Sequence, residues 1–432
     1  MRLSTGTRPV RVDGTVRVPG DKSITHRVLL LAAMTQGVSR IRGALTSLDA
    51  RSSARVLRQL GAGISPLRPG SVATVVGKGR FRRPAEVLNC GNSGTTARLL
   101  LGLLAAHDFS ATLTGDRSLR RRPMRRVIVP LSAMGARFTE RNGDGLPLTV
   151  RGTSLHELRY ELPVSSAQIK SSILLAAMAG QVPVALREPQ GRSRDHTERL
   201  LRAFGYAVSE QDGWIEFSPT GRIQPFDIEV PGDPSSAAFL VGAATLATGG
   251  ELGVEGVGIN PTRTGFLHVL RRMGGNITIA NQAERYGEPV GDLRIAPAPL
   301  RQTEVTADDI PGLIDEIPLL AVVAARASGV TTFHQVGELR IKESDRLGLL
   351  AENLRAVGVA AEVQGENLLV EGTDRPPRGT VRSAADHRLA MAFAVLGTVE
   401  GARVVIDDLA CSAVSFPRFP EMLRSISRGR HR

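Results

Sequence analysis

Two kinds of apolar run alternate along the chain. The first opens on a short polar start and continues into small and apolar residues at helical length: "GDKSITHRVLLLAA", "GNSGTTARLLLGLLAA", "SSAQIKSSILLAAMAG", "GDPSSAAFLVGAATLA", "IDEIPLLAVVAARA" and "ADHRLAMAFAVLG". Their Asp, Ser, Asn or Gly starts are where helix N-termini belong. Most are followed by a Gly and a β-branched segment, as in "GVSRIRGA" and "GVTTFHQV". The second kind is amphipathic and ends at a glycine: "ARVLRQLGAGI", "VIVPLSAMGARF", "TERLLRAFGYAV", "FLHVLRRMGGNI" and "LAENLRAVGVAA", with "FPRFPEMLRSI" as a sixth copy at the C-terminus. The glycine falls where a left-handed helix cap belongs, and a strand follows.

The pair of runs recurs about every seventy residues, longer than most solenoid units. Each copy therefore reads as a small α/β module of two helices and several short strands. Six modules divide as three plus three, and the same four residues open each half, in "VPGDKSITHR" from Val18 and "VPGDPSSAAF" from Val230. The lead "RPVRVDGTVRV" reads as a strand and is assigned to the second half. The expected domains are residues 20–231, and residues 1–19 together with 232–432, with the chain crossing near Pro19–Gly20 and Pro231–Gly232. Proline fixes φ there and glycine takes conformations other residues resist. Ordinary strand-ending turns are the alternative.

Composition narrows the function. With 432 residues, 42% of them hydrophobic, the chain has enough apolar material for two cores. No apolar run approaches the ~18 residues of a membrane span, and the N-terminus lacks the apolar stretch of a secretory signal. Cys90 and Cys411 read as free thiols of a reducing cytoplasm. The formal charge of +13 comes almost entirely from arginine, with lysine only at positions 22, 78, 170 and 342. Such a balance suits nucleic acid or small anions steered into a cleft. Aromatics are 4% and do not interleave with basic residues, which weighs against a single-strand binder. Helix starts carry unpaired N–H groups and about half a positive charge, so several converging on one cleft would favour anions. Lys22, Arg27, Arg98, Lys170, His387 and Arg388 stand beside such starts, and no Walker A or GxGxxG fingerprint is present.

The stretches "GDKSITHR", "GNSGTTAR", "RRRPM", "SSAQIK", "RDHTER", "NPTRTG", "IDEIPLLA", "RIKESDRL", "ADHRLAMAF" and "SFPRF", in this order, resemble the 5-enolpyruvylshikimate-3-phosphate synthase (3-phosphoshikimate 1-carboxyvinyltransferase) family over nearly the whole chain. The resemblance implies an α/β (α+β) fold of two similar domains, each of three βαβαββ-type repeats, an inverse α/β barrel of the enolpyruvyl transferase kind, with the active site in the interdomain cleft. It implies transfer of the enolpyruvyl group of phosphoenolpyruvate to the 5-hydroxyl of shikimate 3-phosphate, with release of phosphate, in aromatic amino acid biosynthesis. The expected enzyme is monomeric and cytoplasmic, with these two anions as partners and no cofactor, metal, membrane or nucleic acid.

The same resemblance assigns residues. Lys22, Asp315 and Glu343 are the expected catalytic groups. Phosphoenolpyruvate is expected at Lys22, Asn92, Gly94, Arg122, Gln168, Arg346 and Arg388, with Thr95 lining its pocket and His387 in the cleft. Shikimate 3-phosphate is expected at Lys22, Ser23, Arg27, Ser165, Ser166, Gln168, Arg194, Asp315 and Lys342. Lys170 and Arg194 match a variant subgroup, and a lysine kept in so arginine-rich a chain suggests sites that need an ammonium. Ala167, Glu338 and Val414 depart from some members. Read alone, "RIKESDRL" is a charged helix start, with Asp345 supporting the turn, and Glu316 is an acid favoured by a helix dipole. Two alternatives remain. UDP-N-acetylglucosamine enolpyruvyl transferase carries a reactive loop cysteine, absent from Thr114 to Arg126 here. An RNA-binding or RNA-end-processing protein could use similar modules.

Overall fold

Burial separates the two kinds of helix. A computed structural model describes residues 2–4, 10–140, 143–189 and 191–427. Its contacts divide the chain into two compact units, Gly20–Val230 with Glu284–Glu288, and Met1–Pro19 with Pro231–Ala283 and Pro289–Arg432.

The unit built on Gly20–Val230 holds α1 (Lys22–Met34), α2 (Leu48–Gln59), α3 (Gly94–Ala105), α4 (Arg117–Arg120), α5 (Arg125–Ala133), α6 (Ala167–Gly180) and α7 (His196–Ala203). Helices α1, α3 and α6 are the polar-start runs. Apolar on almost every side, they are buried along nearly their whole length, as such helices must be. Helix α3 packs on both α1 and α6. At the α3–α6 crossing a Cβ on Gly102 would lie 2.0 Å from the Ser172 carbonyl oxygen, so only glycine lets these backbones meet. Amphipathic α2, α5 and α7 cover the outside. Three four-stranded sheets complete the unit, each with one parallel pair and then antiparallel strands. The sheet of the first module, Gln36–Arg42 with Ala73–Lys78 and Gly63–Ile64, receives its parallel strand from Asp227–Glu229 at the far end of the segment.

The other unit repeats this plan with α8 (Pro234–Thr245), α9 (Gly265–Arg272), α10 (Ile317–Ala324), α11 (Arg346–Ala356), α12 (His387–Leu396) and α13 (Phe419–Ser427). Every residue of α8, α10 and α12 is buried. Arg11–Val16 pairs in parallel with Gly249–Gly258 over six residues, and Glu288–Ala296 and Asn276–Arg285 follow in that sheet. A second sheet has four strands, and the last, among the described residues, has three: Arg378–Val381, Arg403–Ile406 and Arg2–Ser4. The turn Glu284–Glu288 bonds within the first unit, where Tyr286 donates to the Asp227 carbonyl and Arg199 donates to that of Gly287. No helix among the described residues is long and apolar enough to cross a membrane.

Five outer helices end alike. Gly61, Gly135, Gly205, Gly274 and Gly358 all have φ between +88° and +107°. In each case the glycine N–H and the next N–H fold back onto carbonyls of the last turn, as with Gly358 to Arg355 (3.0 Å) and Val359 to Leu354 (2.9 Å). This is the Schellman arrangement, which satisfies carbonyls the helix leaves bare. A Cβ at Gly358 would meet no atom within 4 Å, so substitution there tests conformation alone. Gly358→Ala should lower stability by about 1 kcal/mol, and Gly358→Asn by less. Urea melts check this, and an alanine variant as stable as the parent would show that the left-handed cap is not required.

Candidate active site

Most of the predicted residues sit at or just before helix starts, in two groups, one in each unit. In the unit built on Gly20–Val230, Asp21 caps α1 by accepting from the Ile24 N–H at 2.8 Å. Lys22 follows, its Nζ 3.4 Å from Asp49 Oδ2 on α2. The Arg27 guanidinium is buried and ties three helices together, donating to Thr197 Oγ1 (2.7 Å), Ser171 Oγ (2.7 Å) and the Ser23 carbonyl (2.9 Å). Burial brings its pKa down to about 10, against the pull of Glu198 and Asp21.

Ser93 caps α3 and Gly94 opens it. Arg122 Nη2 donates to Asn92 Oδ1 at 2.9 Å, and Asn92 Nδ2 donates to Asp116 at 2.6 Å. Arg98, one turn beyond Gly94, donates to Gln168 Oε1 at 2.5 Å and to the Pro123 carbonyl at 3.0 Å. Gln168 in turn donates to Thr95 Oγ1 at 3.0 Å. A Cβ at Gly94 would lie 3.2 Å from the Arg98 guanidinium and 3.4 Å from that of Arg122. Asn92, Gly94, Thr95, Arg122 and Gln168 thus share one place, rich in N–H donors. Ser165 and Ser166 precede α6, and half-buried Arg194 precedes α7.

Lys170 has a different job from the one its sequence context suggests. Its Nζ lies 2.9 Å from Glu188 and 2.8 Å from Glu198, all three side chains at most 6% exposed. Burial alone would lower its pKa, but Glu198 and Glu188 more than offset this and raise it. Its ammonium is shared here by two buried carboxylates.

In the other unit, three helix starts meet on two arginines. Arg346 opens α11 and is fully buried. Its Nε and Nη2 donate to Asp386 at 2.9 and 3.2 Å, Nη2 reaches Glu343 at 2.5 Å, and Nη1 lies 3.8 Å from Asp315. Nη1 has no hydrogen-bond partner among the described residues. Asp386 also caps α12 through the Arg388 N–H at 3.0 Å. Arg388 donates to the Asp315 carbonyl at 3.0 Å, with its Nη2 3.4 Å from the Asp315 carboxylate. His387 is buried at the first position of α12. Lys342 has its pKa lowered by loss of hydration and by Arg346, against the pull of Asp315, Glu338 and Glu343. Asp345 caps α11 at the Gly348 N–H. Val414 ends the short turn Ala410–Val414, half-buried.

Chemically, this group combines fixed cations with mobile protons. Arginine cannot surrender its proton, so Arg346 and Arg388 can only hold anions. Glu343, Asp315 and Lys342 can move protons. Burial pushes both cysteine thiols up to about 12, so neither is a ready nucleophile. Among the described residues no three His, Cys, Asp or Glu side chains are grouped to hold a metal ion. Sequence reading passed over Asp49, Arg263 and Asp386, and named Arg98 only as a charge near a helix start. Asp386, immediately before His387, carried a capping signal that could have marked it.

The family model described as EPSP synthase (3-phosphoshikimate 1-carboxyvinyltransferase) matches residues 7–423. A protein of Alkalilimnicola ehrlichii named 3-phosphoshikimate 1-carboxyvinyltransferase is 46% identical, over 95% of this chain and 92% of its own length. The solved structure of an EPSP synthase from Acinetobacter baumannii is similar with a TM-score of 0.86 at 36% identity, covering 98% of this chain and 97% of that one. The enolpyruvyl transferase NikO from Streptomyces tendae shares the fold, with a TM-score of 0.79 at 19% identity over 98% and 96% of the two chains.

The buried triad makes its own prediction. Lys170→Met should cost ~3–5 kcal/mol near neutral pH, because it strands two buried carboxylates. Denaturant melts at neutral pH check this, and a variant as stable as the parent would contradict it.

Proposed function

Because the chain belongs to the EPSP synthase (3-phosphoshikimate 1-carboxyvinyltransferase) family, we propose that it joins phosphoenolpyruvate to the 5-hydroxyl of shikimate 3-phosphate and releases inorganic phosphate. The supporting observation is the grouping of Asp315, Glu343 and Lys342 around Arg346 and Arg388. It sets proton-moving groups beside cations that only bind.

The reaction needs both kinds. The hydroxyl oxygen attacks C2 of phosphoenolpyruvate while a proton is delivered to its methylene carbon, making a methyl group. The bond from C2 to the phosphate oxygen then breaks, a proton leaves the methyl group, and the double bond returns. Asp315, with Lys342 beside it, receives the hydroxyl proton, and Glu343 gives and later takes back the proton at carbon. Arg346 and Arg388 hold phosphoenolpyruvate. Lys22, Asn92, Gly94, Arg122 and Gln168 bind it too, and Ser23, Arg27, Ser165, Ser166 and Arg194 serve shikimate 3-phosphate, with Lys22 and Gln168 touching both substrates. The substrates are two small anions, in keeping with the charge of +13. Two free cysteines suit the cytoplasm as its location.

Mixing the protein with both substrates should release phosphate, and omitting either should abolish the release. Glu343→Gln and Asp315→Asn should each lower kcat at least ~100-fold, the scale of lost acid–base catalysis. Near-parental turnover in either variant removes that residue from its role.

A further inference from the structure

Among the described residues, Arg263, Arg346 and Lys170 head the largest fully buried side chains, ahead of every phenylalanine. Arg346 belongs to the candidate site and Lys170 to its glutamate triad, which leaves Arg263 without an account. It stands just before α9, and its Nη2 donates to Ser235 Oγ at 2.8 Å and lies 3.3 Å from Asp233 Oδ1. Ser235, in the first turn of α8, donates in turn to Glu316 Oε1. That same oxygen is 3.5 Å from Arg388 Nη1. The arm therefore runs Arg263, Ser235, Glu316, Arg388, and no member is more than 5% exposed.

We propose that Glu316, oriented by Ser235 and Arg263, is a positioning residue that holds the Arg388 guanidinium in place for phosphoenolpyruvate. This rests on the function proposed above. The direction of each bond is forced. A guanidinium only donates, so Arg263 must take a lone pair of the Ser235 oxygen. The single Ser235 hydroxyl proton then goes to Glu316. A carboxylate taken out of water needs such partners, and here they fix which oxygen faces Arg388. Asp315 and Glu316 are neighbours in sequence but divide the work. The Asp315 side chain keeps 17% of its surface exposed and borders both arginines, whereas that of Glu316 keeps 2%. Asp315 meets Arg388 with its backbone carbonyl at 3.0 Å and its carboxylate at 3.4 Å, and Glu316 adds a second, fully buried carboxylate at 3.5 Å. An arginine held on two sides is oriented before the substrate arrives, which lowers the entropy lost on binding.

Steady-state kinetics on Glu316→Gln and Ser235→Ala test this. Glu316→Gln keeps the shape and an acceptor for Ser235 but removes the charge. It should raise KM for phosphoenolpyruvate about ten-fold, the scale of one lost charged partner, and leave kcat within about three-fold. KM for shikimate 3-phosphate and the pH dependence of kcat should not move. Ser235→Ala should shift the same KM in the same direction by less, and carries the test alone if Glu316→Gln does not fold. The proposal is overturned if KM for phosphoenolpyruvate stays unchanged, if both KM values rise together, or if kcat falls ~100-fold with loss of a limb of the pH profile. A parental protein that turns over both substrates while the variants behave in any of those ways refutes the positioning role alone. A parental protein that releases no phosphate refutes the function, and the positioning role falls with it.

Discussion

A single buried ion pair holds the chemistry of the second unit in shape. Arg346 and Asp386 have no exposed side-chain surface. Taking two such ions out of water costs several kcal/mol each, and only excellent geometry recovers it. Asp386 supplies that geometry. It accepts from two nitrogens of Arg346, from the Ser344 hydroxyl at 3.0 Å and from the backbone N–H that opens α12. One carboxylate therefore fixes the start of α11, the start of α12 and the arginine each of them carries. The pair also keeps Arg346 charged: burial would lower its pKa, but Asp386 and Glu343 raise it. A guanidinium locked this way is a rigid fixture for an anion, and all adaptation falls to the lighter groups around it.

The scaffold reuses the same local devices and loads them differently. Inner helices begin at capped polar starts, and outer helices end on left-handed glycines. In the unit built on Gly20–Val230 the starts carry amides, hydroxyls and cations, among them Asn92, Gln168, Lys22 and Arg122. In the other unit they carry carboxylates locked to arginines. The same plan thus carries amides, hydroxyls and cations at the helix starts of one unit and carboxylate–arginine pairs at those of the other. The difference lies in a few side chains at equivalent places, which leaves the repeated cores free of functional demands.

This pattern decides what could be read from sequence. Caps and C-terminal glycines are local, so Asp21, Ser93, Gly61 and Gly358 announce themselves within a few residues. The inner helices are legible because their small apolar runs have no polar face. The family stretches lead to Asp315, Glu343, Arg346 and Arg388 because those residues sit inside them. Lys170 shows where such reading ends. Its partners Glu188 and Glu198 lie on other elements, and nothing at position 170 tells a buried structural ammonium from one that meets a ligand. Arg263 is harder still, since its burial follows from packing among α8, α9 and α10 and its charge argues for the surface. The parallel strand of the first sheet was equally hidden, because Asp227–Glu229 joins Gln36–Arg42 across most of the segment.

The double passage of the chain at the two Val-Pro-Gly-Asp sites has a practical side. The segment Gly20–Val230 contains the closing strand of its own first sheet, Asp227–Glu229. The stretch from Pro231 onward does not: Gly249–Gly258 takes its parallel neighbour from Arg11–Val16, before the first crossing. A polypeptide starting at Pro231 would leave that strand with a naked flank, an invitation to self-association. A short synthetic peptide covering residues 10–19 has the register to close it in trans, which turns an accident of connectivity into a handle for splitting and rejoining the molecule.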